Sequence, residues 1–412
     1  MCARLAKIFF QRLYIMNDKQ PTLLGGIIQY CTGCKACEQI CPHAAISMQP
    51  NKEGFLESTI DYNNCVDCGL CRLVCPQNIK PKLQEPINVL AARDKDDNEL
   101  KISASGGAFA AAARVILSHK GVVVGATYNK DLTVSHIIVD NITDLQKLQS
   151  SKYVQSNTED TFKQVKNLLR TGKTVLYCGT PCQIGGLRGY LRKDYDNLYT
   201  MDLICHGVPS PKLFAKYLLW LGGKMDGEVI YYDFRDKSTG WGLDYMTKTK
   251  TKTKTETKTK TVPCSLDPYY YHFLKGDTYR ECCYRCQYSR KERVSDITIG
   301  DYWGIEKEHP SFYSTKGVSC ILINTNKGKK LWDRISEEFV FIDSTFEKVA
   351  NANHNLKHPT ERHEIRNHIY DDIDDMPVNK YFSTQLAIPF NLKARIKMLL
   401  PVWFKVLIKI FK

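Results

Sequence analysis

CTGCKACEQICPHAAISMQPNKEGFLESTIDYNNCVDCGLCRLVCP, residues 31–76, decides how the rest of the chain is read. Cys31, Cys34, Cys37 and Cys41 follow the pattern C-x2-C-x2-C-x3-C, with Pro42 next; Cys65, Cys68, Cys71 and Cys75 repeat it, with Pro76 next. Three closely spaced thiolates on a tight loop can hold three irons of a cubane, and the fourth iron needs a ligand from further away. Each proline ends its turn and removes a backbone donor where the chain leaves. Structural zinc wants C-x2-C knuckles, a longer spacer and four ligands in all. Disulfide frameworks belong to small secreted domains, and nothing here reads as a secretory signal. Two identical quartets fit neither. Between them, Met48–Asp61 carries Asn51, Lys52, Glu53 and Gly54 among apolar residues, which suits a hairpin joining two pseudo-symmetric halves.

The spacing is that of bacterial two-cluster ferredoxins, in which the fourth cysteine of each run ligates the other run's cluster. Cys31, Cys34, Cys37 and Cys75 are therefore expected on one [4Fe–4S] cluster, and Cys65, Cys68, Cys71 and Cys41 on the second. The expected unit is a small ferredoxin-like domain over residues 23–80.

Working outward, 412 residues allow two or three domains with a substantial core. The 17 cysteines imply a reducing compartment and metal. A net charge of +14 raises the question of nucleic acid, but its location argues against it. Thr247–Thr261 contributes +5 and Lys393–Lys412 adds +6, so two appendages supply 11 of the 14 charges and the body is nearly balanced. No nucleic-acid partner is expected.

Residues 1–22 form an N-terminal extension whose apolar stretch, Leu5–Met16, is too short for a membrane span; Met16 could equally be the start. A proline-bearing connector over Ile79–Pro86 ends the first domain. Beyond it, strands at Asn88–Arg93, Gly121–Ala126 and Thr174–Tyr177 alternate with helices at Ala108–Leu117 and Glu159–Arg170. That alternation predicts a mixed α/β body over 87–345 and an α+β or α/β multidomain class for the whole. The run Thr247–Thr261 alternates threonine and lysine apart from Glu256. It reads either as an edge hairpin strand protected by lysines or as a solvated low-complexity insertion; the insertion is preferred, because no defined turn is evident. Residues 346–390 are polar and histidine-rich, and His354, His358, His363 and His368 show no ligand spacing. Residues 391–412 read as a basic amphipathic tail.

Seven further motifs follow in order: SASGGAF (Ser103–Phe109), SKYVQS (Ser151–Ser156), GTPCQIGGL (Gly179–Leu187), DLICHGVPSP (Asp202–Pro211), FRDKSTGW (Phe234–Trp241), RECCYRC (Arg280–Cys286) and SDITIGDYWG (Ser295–Gly304). Together with the ferredoxin module they resemble the deazaflavin (coenzyme F-420) hydrogenase/dehydrogenase beta-subunit family, in its bacterial two-cluster branch. The resemblance covers roughly Gln29–Ile335. It implies an FAD and a third [4Fe–4S] cluster, with the family's cluster cysteines falling on Cys182, Cys205, Cys283 and Cys286. A C-x2-C pair and two single cysteines at strand ends can converge on one cubane; zinc stays open, since ligand softness does not separate the two. Cys178 and Cys282 are adjacent, and either could replace a neighbour. Cys2, Cys264 and Cys320 have no partner by spacing.

For the flavin, Gly106–Gly107 heads a helix whose amides and dipole favour a pyrophosphate, though close helix packing would use the same glycines. Ser103, Ser105, Lys152, Tyr153 and Gln155 match the family's flavin region. Asp301 and Trp303 read equally as neighbours of the cluster loop or as core. His206, beside a cluster cysteine, is a candidate proton donor or a structural hydrogen-bonding group. Cubanes pass single electrons and flavin exchanges one or two. The expected activity is therefore an oxidoreductase passing electrons between a ferredoxin-type partner protein and a small organic substrate, and the resemblance implies surface-polysaccharide metabolism as one setting. The alternatives are a non-catalytic electron-transfer subunit and a scaffold with structural clusters. The expected location is cytoplasmic, with peripheral contact at the inner membrane surface through the tail.

Overall fold

The computed structural model describes residues 30–241, 246–253 and 256–400. The N-terminal extension, Cys2 and most of the apolar half of the tail, from Pro401 on, lie outside the described residues.

The two cysteine runs fold alike. Each places three cysteines on a loop entering a one-turn helix, Ala36–Ile40 or Leu70–Val74, started by a left-handed residue, Lys35 or Gly69. The fourth cysteine, Cys41 or Cys75, leaves that helix in extended conformation, because the proline after it disfavours helix at that position. Strands β1 (Ile46–Pro50) and β2 (Leu56–Ile60) pair antiparallel between them. The hairpin turn is built by Asn51, whose side-chain oxygen accepts from the Glu53 and Phe55 amides at 3.1 and 3.0 Å.

The body is built on an eight-stranded mixed sheet. Its strands are β3 (Asn88–Asp94), β4 (Val122–Tyr128), β5 (Val134–Val139), β6 (Val175–Gly179), β7 (Leu198–Leu203), β11 (Ile297–Asp301), β12 (Ser319–Ile323) and β13 (Phe339–Asp343), in the order β13-β3-β12-β11-β7-β6-β4-β5. The central strands β11, β7, β6 and β4 are parallel, and the flanks are antiparallel. Val123, Leu176 and Ile321 are fully buried, as strands covered on both faces require. Helices Ala108–Ser118 and Asn326–Ile335 belong to one side's core, and Thr161–Arg170 and Pro181–Leu191 to another. A mixed α/β fold with a ferredoxin-like N-terminal unit is what the structure shows.

A smaller sheet corrects one expectation. Strands β8 (Glu228–Asp236), β9 (Met246–Lys252) and β10 (Thr257–Pro263) form a three-stranded antiparallel sheet, so the threonine-lysine run is a hairpin, not an unstructured insertion. The turn lies where the alternation breaks: the Thr253 amide donates to the Glu256 carbonyl at 2.9 Å, and the Glu256 amide to the Thr253 hydroxyl at 3.0 Å. Thr249 and Thr251 face the body and are buried. β-branched side chains suit that face, and lysines guard the edge.

A second correction concerns residues 346–390. Ile369, Tyr381 and Leu386 are fully buried in the aromatic core that also holds Phe55, Phe214 and Tyr269. The segment returns across the body as a strap. His354, His358 and His368 are exposed, while His363 pairs with Asp277 at 2.9 Å.

Candidate functional site

Parallel strands bring their C-terminal ends to one edge, and that is where this sheet opens. Gly125 and Ala126 of β4, Cys178 and Gly179 of β6, the Leu203–Val208 turn after β7 and the end of β11 line a cavity of about 310 Å³. Crevices outside the carboxyl ends of parallel strands are where open α/β sheets bind ligands.

The cysteines fall into three sets. The charge interactions of Cys34, Cys37 and Cys75 run among themselves and with Cys31, across the two sequence runs. Cys41, Cys65, Cys68 and Cys71 line a separate small recess with Ile46 and Ile60. Cys182, Cys205, Cys283 and Cys286 all line the large cavity, and so do Cys178 and Cys282. Cys205 feels the charge of Cys182 and Cys286, Cys182 that of Cys282 and Cys286, and Cys282 that of Cys283. The structure therefore leaves both adjacent thiols within reach of the third set.

Burial raises the thiol pKa of Cys182 and Cys205 and pushes that of Cys34 up to about 12. Such groups become thiolates when a cation sits beside them, since metal coordination deprotonates a thiol outright. Among the described residues no three His, Cys, Asp or Glu side chains converge closely enough to share one ion. A cubane needs wider spacing, each thiolate binding a different iron. Tyr288, whose buried hydroxyl has no hydrogen-bond partner among the described residues, lines the same cavity. A group of soft donors around a shared space fits an iron–sulfur cluster.

The expected flavin residues separate. Ser103, Ser105, Gly107, Lys152, Tyr153 and Gln155 line the cavity. Gly106 does not: its amide donates to Ser319 Oγ at 2.9 Å, and a Cβ there would lie 2.5 Å from the Ala92 carbonyl. Its smallness serves helix–strand packing. Gln155 is turned toward the ferredoxin unit, donating to the Thr32 carbonyl at 3.3 Å and accepting from Arg280 at 3.3 Å. Lys152 Nζ donates to the Gln149 carbonyl at 2.6 Å, and burial lowers its pKa to about 7. His206 opens onto the cavity; desolvation lowers its pKa, with Asp301 and Asn355 opposing.

Two features were not legible as site elements. Arg235 forms a bidentate ion pair with Asp301 at 2.8 and 2.9 Å, and also donates to Tyr153 Oη at 3.0 Å and the Ala104 carbonyl at 2.9 Å. Trp241 Nε1 donates to the same carboxylate at 2.7 Å and stacks on Trp303 at 4.9 Å. Four of the seven motifs thus meet in one clasp on the cavity wall. The other feature is His136 of β5. Its Nε2 donates to the Cys178 carbonyl at 3.2 Å and its Nδ1 accepts from Ser156 Oγ at 2.7 Å, with burial lowering its pKa to about 4. It is a neutral imidazole of fixed tautomer beside the cavity.

A two-run cysteine unit docked on an α/β body with a third thiol set defines an iron–sulfur redox protein. Two parts of the chain match known families: residues 172–347 match the C terminus of the coenzyme F420 hydrogenase/dehydrogenase beta subunit, and residues 30–79 match the 4Fe-4S dicluster domain. It is similar to a subunit of the F(420)H(2) dehydrogenase of Methanosarcina mazei, 22% identical over 52% of this chain and 71% of that protein. It is also similar to a subunit of the ion-translocating oxidoreductase complex of Methanosarcina acetivorans, 45% identical over 11% of this chain and 16% of that one. A chain of the F420-reducing [NiFe] hydrogenase complex from Methanosarcina barkeri aligns with 66% of this chain and 86% of its own length, at 19% identity and a TM-score of 0.42. The protein is an iron–sulfur oxidoreductase or electron-transfer subunit related to the coenzyme F420 hydrogenase beta subunit.

Proposed function

We propose that the chain is an iron–sulfur flavoprotein that passes electrons between a partner protein and a small organic substrate bound in the cavity. Iron–sulfur clusters supply single electrons, and FAD exchanges one or two. Cys41, Cys65, Cys68 and Cys71 would hold the outer cluster, near the surface, where Cys68, Tyr62 and Val66 are exposed. Cys31, Cys34, Cys37 and Cys75 would hold the inner one. Cys182, Cys205, Cys283 and Cys286 would hold the third, and Ser103, Ser105, Gly107, Lys152 and Tyr153 would surround the FAD. Lys152 would set the charge beside it, and His206 is the candidate proton donor.

The observation that carries this reading is the contact between the inner set and the helix of the third. Cys34 lies against Gly186, whose missing Cβ would stand 2.7 Å from its sulfur, on the helix whose first turn carries Cys182. Anaerobic purification with metal, sulfide and flavin quantified tests it: about twelve irons and one FAD are expected. Cys182→Ser and Cys283→Ser should each leave about eight irons, and Cys282→Ser about twelve. The reverse result for the adjacent pair would make Cys282 the ligand. A preparation holding only zinc and no flavin would sink the reading.

The names of two relatives, each part of a larger assembly, favour a second reading, in which this chain relays electrons to another protein. Turnover of a small molecule by the pure chain with a chemical reductant would exclude it. Deazaflavin is one substrate to screen, and sugar-linked acceptors are another class.

A further inference from the structure

The redox reading does not use the two basic appendages, and the structure brings them together. The helix Leu392–Leu399 packs against strand β10 of the threonine-lysine hairpin and against the turn Cys264–Leu266. The described basic residues of both appendages therefore belong to elements that meet on one part of the surface. On β10, Lys258 and Lys260 are exposed, as is Lys252 of β9. The acids facing this sheet are few: Glu256 lies 3.8 Å from Lys258, Asp236 lies 3.8 Å from Lys248, and Glu228 pairs in register with Lys252.

The helix is turned the wrong way round for a helix that closes a core. It buries Ala394, while Leu392, Ile396 and Leu399 are 58, 52 and 81% exposed, and Phe390 just before it is 74% exposed. At about 100° per residue those three leucine and isoleucine positions fall in one narrow stripe, opposite Ala394. Exposed Lys393 and Arg395 flank it. An outward apolar stripe between basic residues, beside a lysine-bearing hairpin, is chemistry for an anionic bilayer surface. An acidic protein would need the lysines but not the stripe. Among the described residues no helix is long and apolar enough to cross a membrane, so the contact is one of lying on the surface.

We propose that the helix Leu392–Leu399 and the hairpin β9–β10 form a single binding surface for anionic lipid headgroups, the apolar stripe entering the interface and the lysines meeting the negative charge.

The test is co-sedimentation of the full chain with vesicles of phosphatidylcholine alone or with about 30% phosphatidylglycerol. Wild type should pellet with the anionic vesicles and not with the neutral ones, and about 0.5 M salt should weaken the binding. Lys258→Gln with Lys260→Gln should weaken it by about 25-fold, fivefold per lysine. Leu392→Ser with Ile396→Ser and Leu399→Ser should weaken it at least as much, since all three side chains are exposed and the fold does not depend on them. Equal sedimentation of wild type and both variants overturns the proposal. So does failure of wild type to pellet, and salt-sensitive retention on immobilised polyglutamate in that case would assign the surface to an acidic protein.

Discussion

Arg235 shows what the chain's polar motifs do at the scale of one residue. Buried on β8, it holds the Asp301 carboxylate in a fork, and Asp301 in turn receives Trp241. Removing one partner of a buried pair strands the other charge. Arg235→Met is expected to lower stability by about 3–5 kcal/mol, and Asp301→Asn added to it should recover part of the loss, read as denaturant midpoints. His136 makes a different prediction. Burial holds its pKa at about 4 in the folded chain, against about 6.5 unfolded. Between those values the unfolded state takes up a proton that the folded state cannot. This group's contribution is whole above the unfolded value and declines as pH falls toward the folded one. From pH ~7 to ~5.5 that is about 1 kcal/mol, which His136→Gln should remove from the acid loss. The two ferredoxin-type cysteine runs could be read because their spacing is local. Neither Arg235 nor His136 could be placed, since their partners come from distant segments: Asp301 and Tyr153 for one, Ser156 and Cys178 for the other.

At the scale of elements, the helix Pro181–Leu191 is the piece on which the two halves fit. Gly185, Gly186 and Gly189 share a face, and a Cβ on them would meet Tyr288 Oη at 2.2 Å, Cys34 Sγ at 2.7 Å and the Val74 carbonyl at 2.2 Å. Glycines normally weaken a helix; here they let the ferredoxin helices reach it. Gly189→Ala strikes backbone, which cannot rotate away, so it should cost about 1–3 kcal/mol and expose the 70–79 segment to limited proteolysis. Gly186→Ala should instead disturb the Cys34 site, seen as an altered paramagnetic signal of one reduced cluster with the other signals unchanged. The GTPCQIGGL motif was visible, but not this use of its glycines, because sequence does not say what approaches a helix. The threonine-lysine run failed for a related reason: its period of two was plain, and the turn at Thr253–Glu256 depends on a side chain–backbone exchange that carries no glycine or proline signal. The strap over 346–390 was hidden by its polar average, which masks the buried Ile369, Tyr381 and Leu386.

At the scale of the molecule, two of the points that hold the ferredoxin unit lie far apart in its own chain. One is the glycine face. The other is the tip of the β1–β2 hairpin, which enters the body: Phe55 is buried in the aromatic core, and the Glu53 carboxylate takes both terminal nitrogens of Arg366, at 2.7 and 2.5 Å. Arg366 belongs to the C-terminal strap, and its Nε donates to the Tyr279 carbonyl at 2.8 Å, three residues before Cys282. Hairpin, strap and third thiol set are thus joined through one guanidinium. If that junction is what makes them a unit, loosening it should release all three. Because Glu53 keeps partial contact with water, Arg366→Met is expected to cost nearer 1–3 than 3–5 kcal/mol. Hydrogen exchange separates a cooperative loss from a local one. Protection should fall together in 46–60, 369–386 and 279–286, and Glu53→Gln should reproduce the pattern in weaker form. Loss confined to the strap would mean that the hairpin is seated without Arg366, and that the distance between the inner and third thiol sets is kept by the glycine helix without help from the C-terminal segment.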